Sequence, residues 1–233
     1  MQESFATGAP DVLAEPECCA AEPRLKPRDR IVVSARDLFR RHGIRGIGVD
    51  AIAEAAGTNK MTLYRHFGSK DDLVVACLQG AACDAETIWR QLEDENPGDP
   101  RGQLNAWVRV ADQHISGQRR GCDFANAAVE LVANNPAAHE FIEKFKNAQR
   151  QRLAELCRQA GVANADLLAD ALALAFEGAS VNSQIAGAEG PWSRFASVAQ
   201  AVIAAFFREE GASAPSDSAS ALARPAQNRH VPG

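Results

Sequence analysis

No stretch of this sequence approaches the roughly 20 consecutive apolar residues that a helix needs to cross a bilayer. The opening MQESFATGAPDVLAEPECCA lacks the basic start and apolar run of a secretory signal. Cysteine is sparse: the six (Cys18, Cys19, Cys77, Cys83, Cys122 and Cys157) form no C-x-x-C pair and no Cys/His cluster at zinc-finger spacing. These absences lead us to expect a cytoplasmic chain with reduced thiols, no membrane partner, no metal and no cofactor. An enzyme would need a nucleophile beside a base, and His114, His139 and Cys122 have no sequence neighbours that make such a site evident, so we expect none. Nowhere does the chain alternate apolar and polar residues as a strand would, and glycine numbers only 17. Helix is what remains.

The composition, 46% hydrophobic and 24% charged, is that of an ordinary globular protein. The net charge of -5 conceals an asymmetry. Residues 24–70 hold eleven Lys and Arg against four acids, a segment of +7, while 14 bases and 26 acids elsewhere leave -12. Phosphate contact needs local positive charge, so this is the balance expected of a polyanion-binding module joined to a larger non-binding domain. We expect tails at 1–26 and 211–233, which are rich in Ala, Pro, Glu or Ser without periodicity. Between them we expect the polyanion-binding domain at 27–73 and a larger helical domain at 74–210.

PRDRIVVSARDLFRRHG places Ile31, Ala35, Leu38 and Phe39 on one helical face, with Pro27 suited to the first turn and Gly43 to the stop. VDAIAEAAG repeats the pattern at Val49, Ile52, Ala53 and Ala56, and Gly57 suits a C-terminal cap. Asn59 then caps KMTLYRHF, whose Leu63 and Phe67 face inwards. Two helices so close in sequence have the spacing of a helix-turn-helix. Ser69 with Asp72 resembles a capping box and opens a long helix to about Glu93. Five more helices are expected at about 101–117, 122–133, 137–160, 164–187 and 191–209, giving an all-α chain of about nine.

A helix entering the major groove reads base edges from its N-terminal turn while its flanks hold phosphates. Thr58, Asn59, Lys60, Met61 and Thr62 lie at or before that turn. Lys60 can donate to guanine, Thr62 can bond a base or touch a thymine methyl, and Met61 offers apolar contact. Tyr64, His66 and Lys70 suit phosphate, Lys70 through its ammonium beside the N-H groups of the next helix. Arg24, Lys26 and Arg28 are suited to an arm along the backbone or into the minor groove. Arg65 has no evident role.

VDAIAEAAGTNKMTLYRHFGSKDDL resembles the DNA-binding signature of TetR-family transcriptional regulators: a second helix with Ile-Ala, a Gly-containing turn, a recognition helix ending Leu-Tyr-x-His-Phe, then Ser-Lys-x-x-Leu. The resemblance covers about residues 28–73. Gly48 stands where the family usually has Ser or Thr, and Met61 where many members have Gly or Ala. The resemblance implies a homodimer joined through the last two helices, bound to a near-palindromic DNA operator. It also implies a pocket among helices four to eight for a small-molecule effector, apolar or aromatic, whose binding releases the repressor. Trp89, Trp107, His114, Cys122, Phe124, Asn126, Glu130 and Phe176 are the residues suited to line it. Gly178, Ala179, Ser180 and Ser183, with a stripe of Phe195, Val198, Ala199, Val202 and Phe206, suit the dimer contact. Two alternatives within the same fold are a redox-responsive regulator using Cys122 or Cys157 and a transcriptional activator.

Overall fold

In the computed structural model, residues 25–117, 121–131, 135–186 and 194–212 are described, with side chains through Arg208 in the last segment. Arg24 and nearly all of both expected tails fall outside them. Among the described residues every regular element is a helix: α1 (Pro27–His42), α2 (Val49–Ala55), α3 (Lys60–Phe67), α4 (Lys70–Glu95), α5 (Pro100–Gly117), α6 (Asp123–Leu131), α7 (Pro136–Gln159), α8 (Ala165–Ala186) and α9 (Phe195–Ala212). The all-α expectation therefore holds. Helix α9 begins four residues later than expected and runs on through Ala212.

Local chemistry sets the helix ends. Gly43 takes φ 80° and its N-H returns to Phe39 O at 2.9 Å, stopping α1. Ser69 Oγ accepts the Asp72 N-H at 3.0 Å and its hydroxyl donates to Asp72 Oδ2 at 2.6 Å, so serine and acid close the start of α4 together. Buried Asn135 caps α7 through the Ala138 N-H at 2.9 Å, with Pro136 in the first turn, where no N-H is needed.

Packing divides the apolar residues into three clusters. Ile31 and Ala35 of α1, Ile52, Ala53 and Ala56 in and after α2, and Leu63 and Phe67 of α3 form the first, closed by Leu73, Ala76 and Cys77 of α4. Fully burying a side chain such as Ile31, Ile52 or Leu63 stabilises by about 1.5–3 kcal/mol, so this small cluster holds three short helices together. Helix α4 completes this cluster with its first turns and enters the second cluster with Trp89 and Leu92. The second cluster fills the space between α4, α5, α7, α8 and α9, around Trp89, Leu104, Val108, Leu153, Leu168 and Phe195. The third joins the two: Ile44 after α1, Val74 and Leu78 of α4, Phe124 and Ala127 of α6, and Ile142 of α7.

The stripe expected at a subunit contact is placed differently. Ala179, Ser180, Phe195 and Ala199 are buried within the single chain, and Val202 and Phe206 pack against the same core, because α9 lies along α8. The large apolar residues that α8 and α9 leave exposed are Leu167, Leu174, Val181, Ile185 and Val198.

Candidate nucleic-acid interface and internal cavity

The turn between α2 and α3 follows from its residues. Gly57 sits at φ 61°, its N-H bonded to Glu54 O at 2.9 Å, while the Thr58 N-H reaches Ala53 O at 2.9 Å. This pair of bonds closes the last turn of α2 and needs the left-handed conformation that glycine adopts without strain. Arg30 Nε adds a bond to Ala56 O at 3.2 Å, tying α1 to the same end. Asn59 then accepts the Thr62 N-H at 2.8 Å, the expected cap of α3.

With Leu63 and Phe67 buried, the rest of α3 faces outwards. Met61 is 78% exposed, Tyr64 37%, and Lys60, Arg65 and His66 are exposed. Thr58 and Thr62 are half-buried, Thr62 with its N-H already used by the cap. Lys60 Nζ rests on Asp50 at 3.1 Å. An exposed pair of this kind is worth at most about 1 kcal/mol, so the ammonium can leave for a base or phosphate. Arg65 and His66 occupy the last turn of α3, where cations complement the helix dipole. Arg28 lies over the Phe67 ring, 5.2 Å from its centre, which sets the start of α1 beside the end of α3.

Lys70 departs from expectation. Its Nζ donates to Ile44 O at 2.6 Å and to Ile47 O at 2.5 Å, the carbonyls of the segment joining α1 to α2. Partial burial lowers its pKa, with Asp71 and Glu130 opposing. In this structure the ammonium braces the helix-turn-helix entry loop.

A cavity of about 410 Å³ lies among α4, α5, α7 and α8, with α1 and the start of α6 as its remaining wall. Trp89, Trp107, His114, Cys122, Phe124 and Phe176 line it. Asn126 and Glu130 do not: with Asp123 and Ala127 they form one stripe of α6, which faces α1 across a smaller cleft. There Glu130 Oε2 accepts the Arg45 N-H at 2.9 Å, fixing α6 to the segment after α1. Aromatic rings dominate the cavity wall: Phe176 lies 6.2 Å from Trp107 and 5.9 Å from His114, and Phe124 stacks on Phe145 at 3.9 Å. Burial holds the His114 imidazole below its ordinary pKa, with smaller opposed effects from Asp123 and Arg40.

Sequence reasoning missed the polar half of this wall. Arg36 pairs with Asp84 at 2.6 Å, and Arg40 makes a two-pronged contact with Asp123, Nε at 3.0 Å and Nη2 at 2.7 Å. Lys146 pairs with Glu177 and donates to Cys122 Sγ at 3.3 Å. Gln149 Oε1 accepts from Trp89 Nε1 at 2.6 Å. A signal was present in α7, where Lys146 and Gln149 stand between buried Ile142 and Leu153 on one stripe, so polar groups interrupt an apolar face. Cys157, the other thiol considered for redox chemistry, is fully buried in the second cluster and burial pushes it up to about 12.

A family profile described as "Bacterial regulatory proteins, tetR family" matches residues 31–77, which span the helix-turn-helix and the first turns of α4. The transcriptional regulator AcuR of Cereibacter sphaeroides is 30% identical over 156 residues, 61% of this chain and 69% of AcuR. The activator FasR of Mycolicibacterium smegmatis is 40% identical over 57 residues, 24% of this chain and only 26% of FasR. Among solved structures, SCO4454, a TetR-family transcriptional regulator from Streptomyces coelicolor, superimposes with a TM-score of 0.71 at 26% identity, covering 77% of this chain and 95% of that one. With the helix-turn-helix, the order of the nine helices among the described residues and these similarities agreeing, the chain belongs to the TetR family of bacterial transcriptional regulators.

Proposed function

We propose that this DNA-binding regulator is a homodimeric repressor that grips a near-palindromic operator with the first turn of α3 and releases it when a small apolar or aromatic effector fills the internal cavity. The observation carrying this reading is that Arg36 and Arg40, both on α1 of the DNA-binding domain, line the cavity and pair across it with α4 and α6. A ligand there meets the DNA-binding domain directly. If it favours the state with wrongly spaced recognition helices, operator affinity falls by the ratio of its affinities for the two states. A hundredfold loss requires a preference of about 2.7 kcal/mol.

One exposed apolar patch supports the dimer. Leu167, Leu174, Val181 and Ile185 run along one side of α8, with exposed Gly178 among them allowing close approach, and Val198 extends the apolar patch onto α9. Two copies related by a two-fold axis would cover this patch and present both α3 helices to matching half-sites.

Fluorescence anisotropy with DNA from upstream of its own and neighbouring genes should show a specific complex of two chains per duplex. Uncharged aromatic compounds that raise the melting temperature should weaken that complex. Equal affinity for target and shuffled duplexes at about 150 mM salt would overturn the reading.

A further inference from the structure

We propose that Cys122 is a covalent attachment point for an uncharged ligand of the α,β-unsaturated carbonyl class, held in the internal cavity with the Lys146 ammonium beside the reacting sulfur. This rests on the reading of the cavity as the effector site and names the chemistry of its occupant.

Three observations lead to it. First, Cys122 borders the cavity, and Lys146 Nζ donates to its sulfur at 3.3 Å, so a cation and a nucleophilic atom face the same space. Second, the charged side chains of the wall already have partners: Arg36 with Asp84, Arg40 with Asp123, Lys146 with Glu177, and Arg150 with Asp170 beyond the wall. With the charges of the wall already balanced in pairs, a charged ligand would bring an uncompensated charge into the cavity, whereas an uncharged one would not. Third, the neighbouring rings and the cavity of about 410 Å³ suit a mainly apolar molecule of modest size. Burial draws the Lys146 pKa down, but Cys122 and Glu177 more than offset this, so the ammonium persists. The other described thiols offer no equivalent. Cys77 and Cys157 sit in the other two apolar clusters, each pushed up to about 12 by burial, and Cys83 is exposed away from the cavity.

In the addition, the sulfur loses its proton to water and its electron pair forms the S-C bond at the ligand's β-carbon. The C=C π pair moves through the α-carbon onto the carbonyl oxygen, beside which the Lys146 ammonium lies. A proton from water then adds to the α-carbon. The net change is S-H added across C=C, with no oxidant consumed.

The test uses the full-length protein and benzylideneacetone, with its saturated counterpart benzylacetone as a reversible probe. Mass spectrometry should show one adduct per chain, mapped to Cys122 and formed about tenfold faster than at Cys83. Cys122→Ser should abolish that adduct while still showing the melting-temperature rise with benzylacetone, which also establishes that the variant folds. Lys146→Gln should slow the addition about tenfold and Lys146→Arg should restore most of the rate. Equal labelling of Cys83, or an undiminished rate in Lys146→Gln, would overturn the proposal. If benzylacetone raises the melting temperature but benzylideneacetone leaves Cys122 unmodified, the covalent site fails and the cavity reading stands. If neither compound binds or reacts, both fail.

Discussion

Lys60 and Lys70 are both lysines of the basic segment, yet their surroundings give them different work. Lys60 is held only by an exposed pair with Asp50, while Lys70 satisfies two loop carbonyls through a partly buried ammonium. The salt dependence of operator binding separates the two roles. Lys60→Ala should weaken binding and lower the slope of log K against log salt by about one, leaving the melting temperature unchanged. Lys70→Met should leave the slope alone but cost about 1–3 kcal/mol of stability, because Ile44 and Ile47 lose a partner in a partly buried loop. Unfolding measured by circular dichroism beside anisotropy titrations at several salt concentrations checks both. His114 gives a pH effect whose sign follows from its environment. Burial lowers its folded pKa, so between the folded value and the ordinary one near 6.5 the unfolded chain binds more protons. Its neutral contact is therefore fully present above about pH 6.5 and is lost as pH falls below that, and His114→Gln should flatten this limb in denaturant titrations.

At the scale of elements, the sequence was most legible where one residue type meets one backbone need. Gly57 at positive φ, Asn59 capping α3 and Ser69 with Asp72 capping α4 could be read directly, because each satisfies a local requirement within a few residues. What lay hidden depends on which way a helix turns. The α6 residues Asn126 and Glu130 were expected in the cavity, but α6 directs that stripe to α1, and only its first residues reach the cavity. Likewise the Arg40 partner, Asp123, is 83 residues away and no local pattern marks it. This α1 to α6 contact is where we expect cavity and DNA to be coupled. Arg40→Gln should reduce the ligand's effect on operator affinity by more than it changes operator affinity in the absence of ligand, since differential contacts set the coupling. Exchanging the pair, Arg40→Asp with Asp123→Arg, should recover part of that effect. Anisotropy titrations with and without ligand measure it, and full release by Arg40→Gln would show that the coupling runs elsewhere.

For the whole molecule, the decisive question is what covers the exposed face of α8. Leu174 is 73% exposed and Ile185 79%, on a helix whose opposite side is packed against α7 and α9. Most of the stripe singled out in the sequence, Ala179, Ser180, Phe195 and Ala199, is internal, while Gly178 and Val198 of the same stripe stay exposed, because a helix hydrophobic on two sides does not reveal which side its own chain will claim. In the proposed dimer the leftover face is the one that the second copy covers. Covering one such leucine is worth about 1.5–3 kcal/mol in each subunit, so placing a carboxylate there both removes that gain and buries a charge against its two-fold mate. Leu174→Glu should therefore shift the assembly to single chains in sedimentation velocity, with circular dichroism unchanged because the residue contributes nothing to its own chain's core. Operator affinity should fall by more than a hundredfold even though α3 is untouched, since one half-site then has to bind without its neighbour. A variant that remains dimeric would show that the two copies meet through another surface.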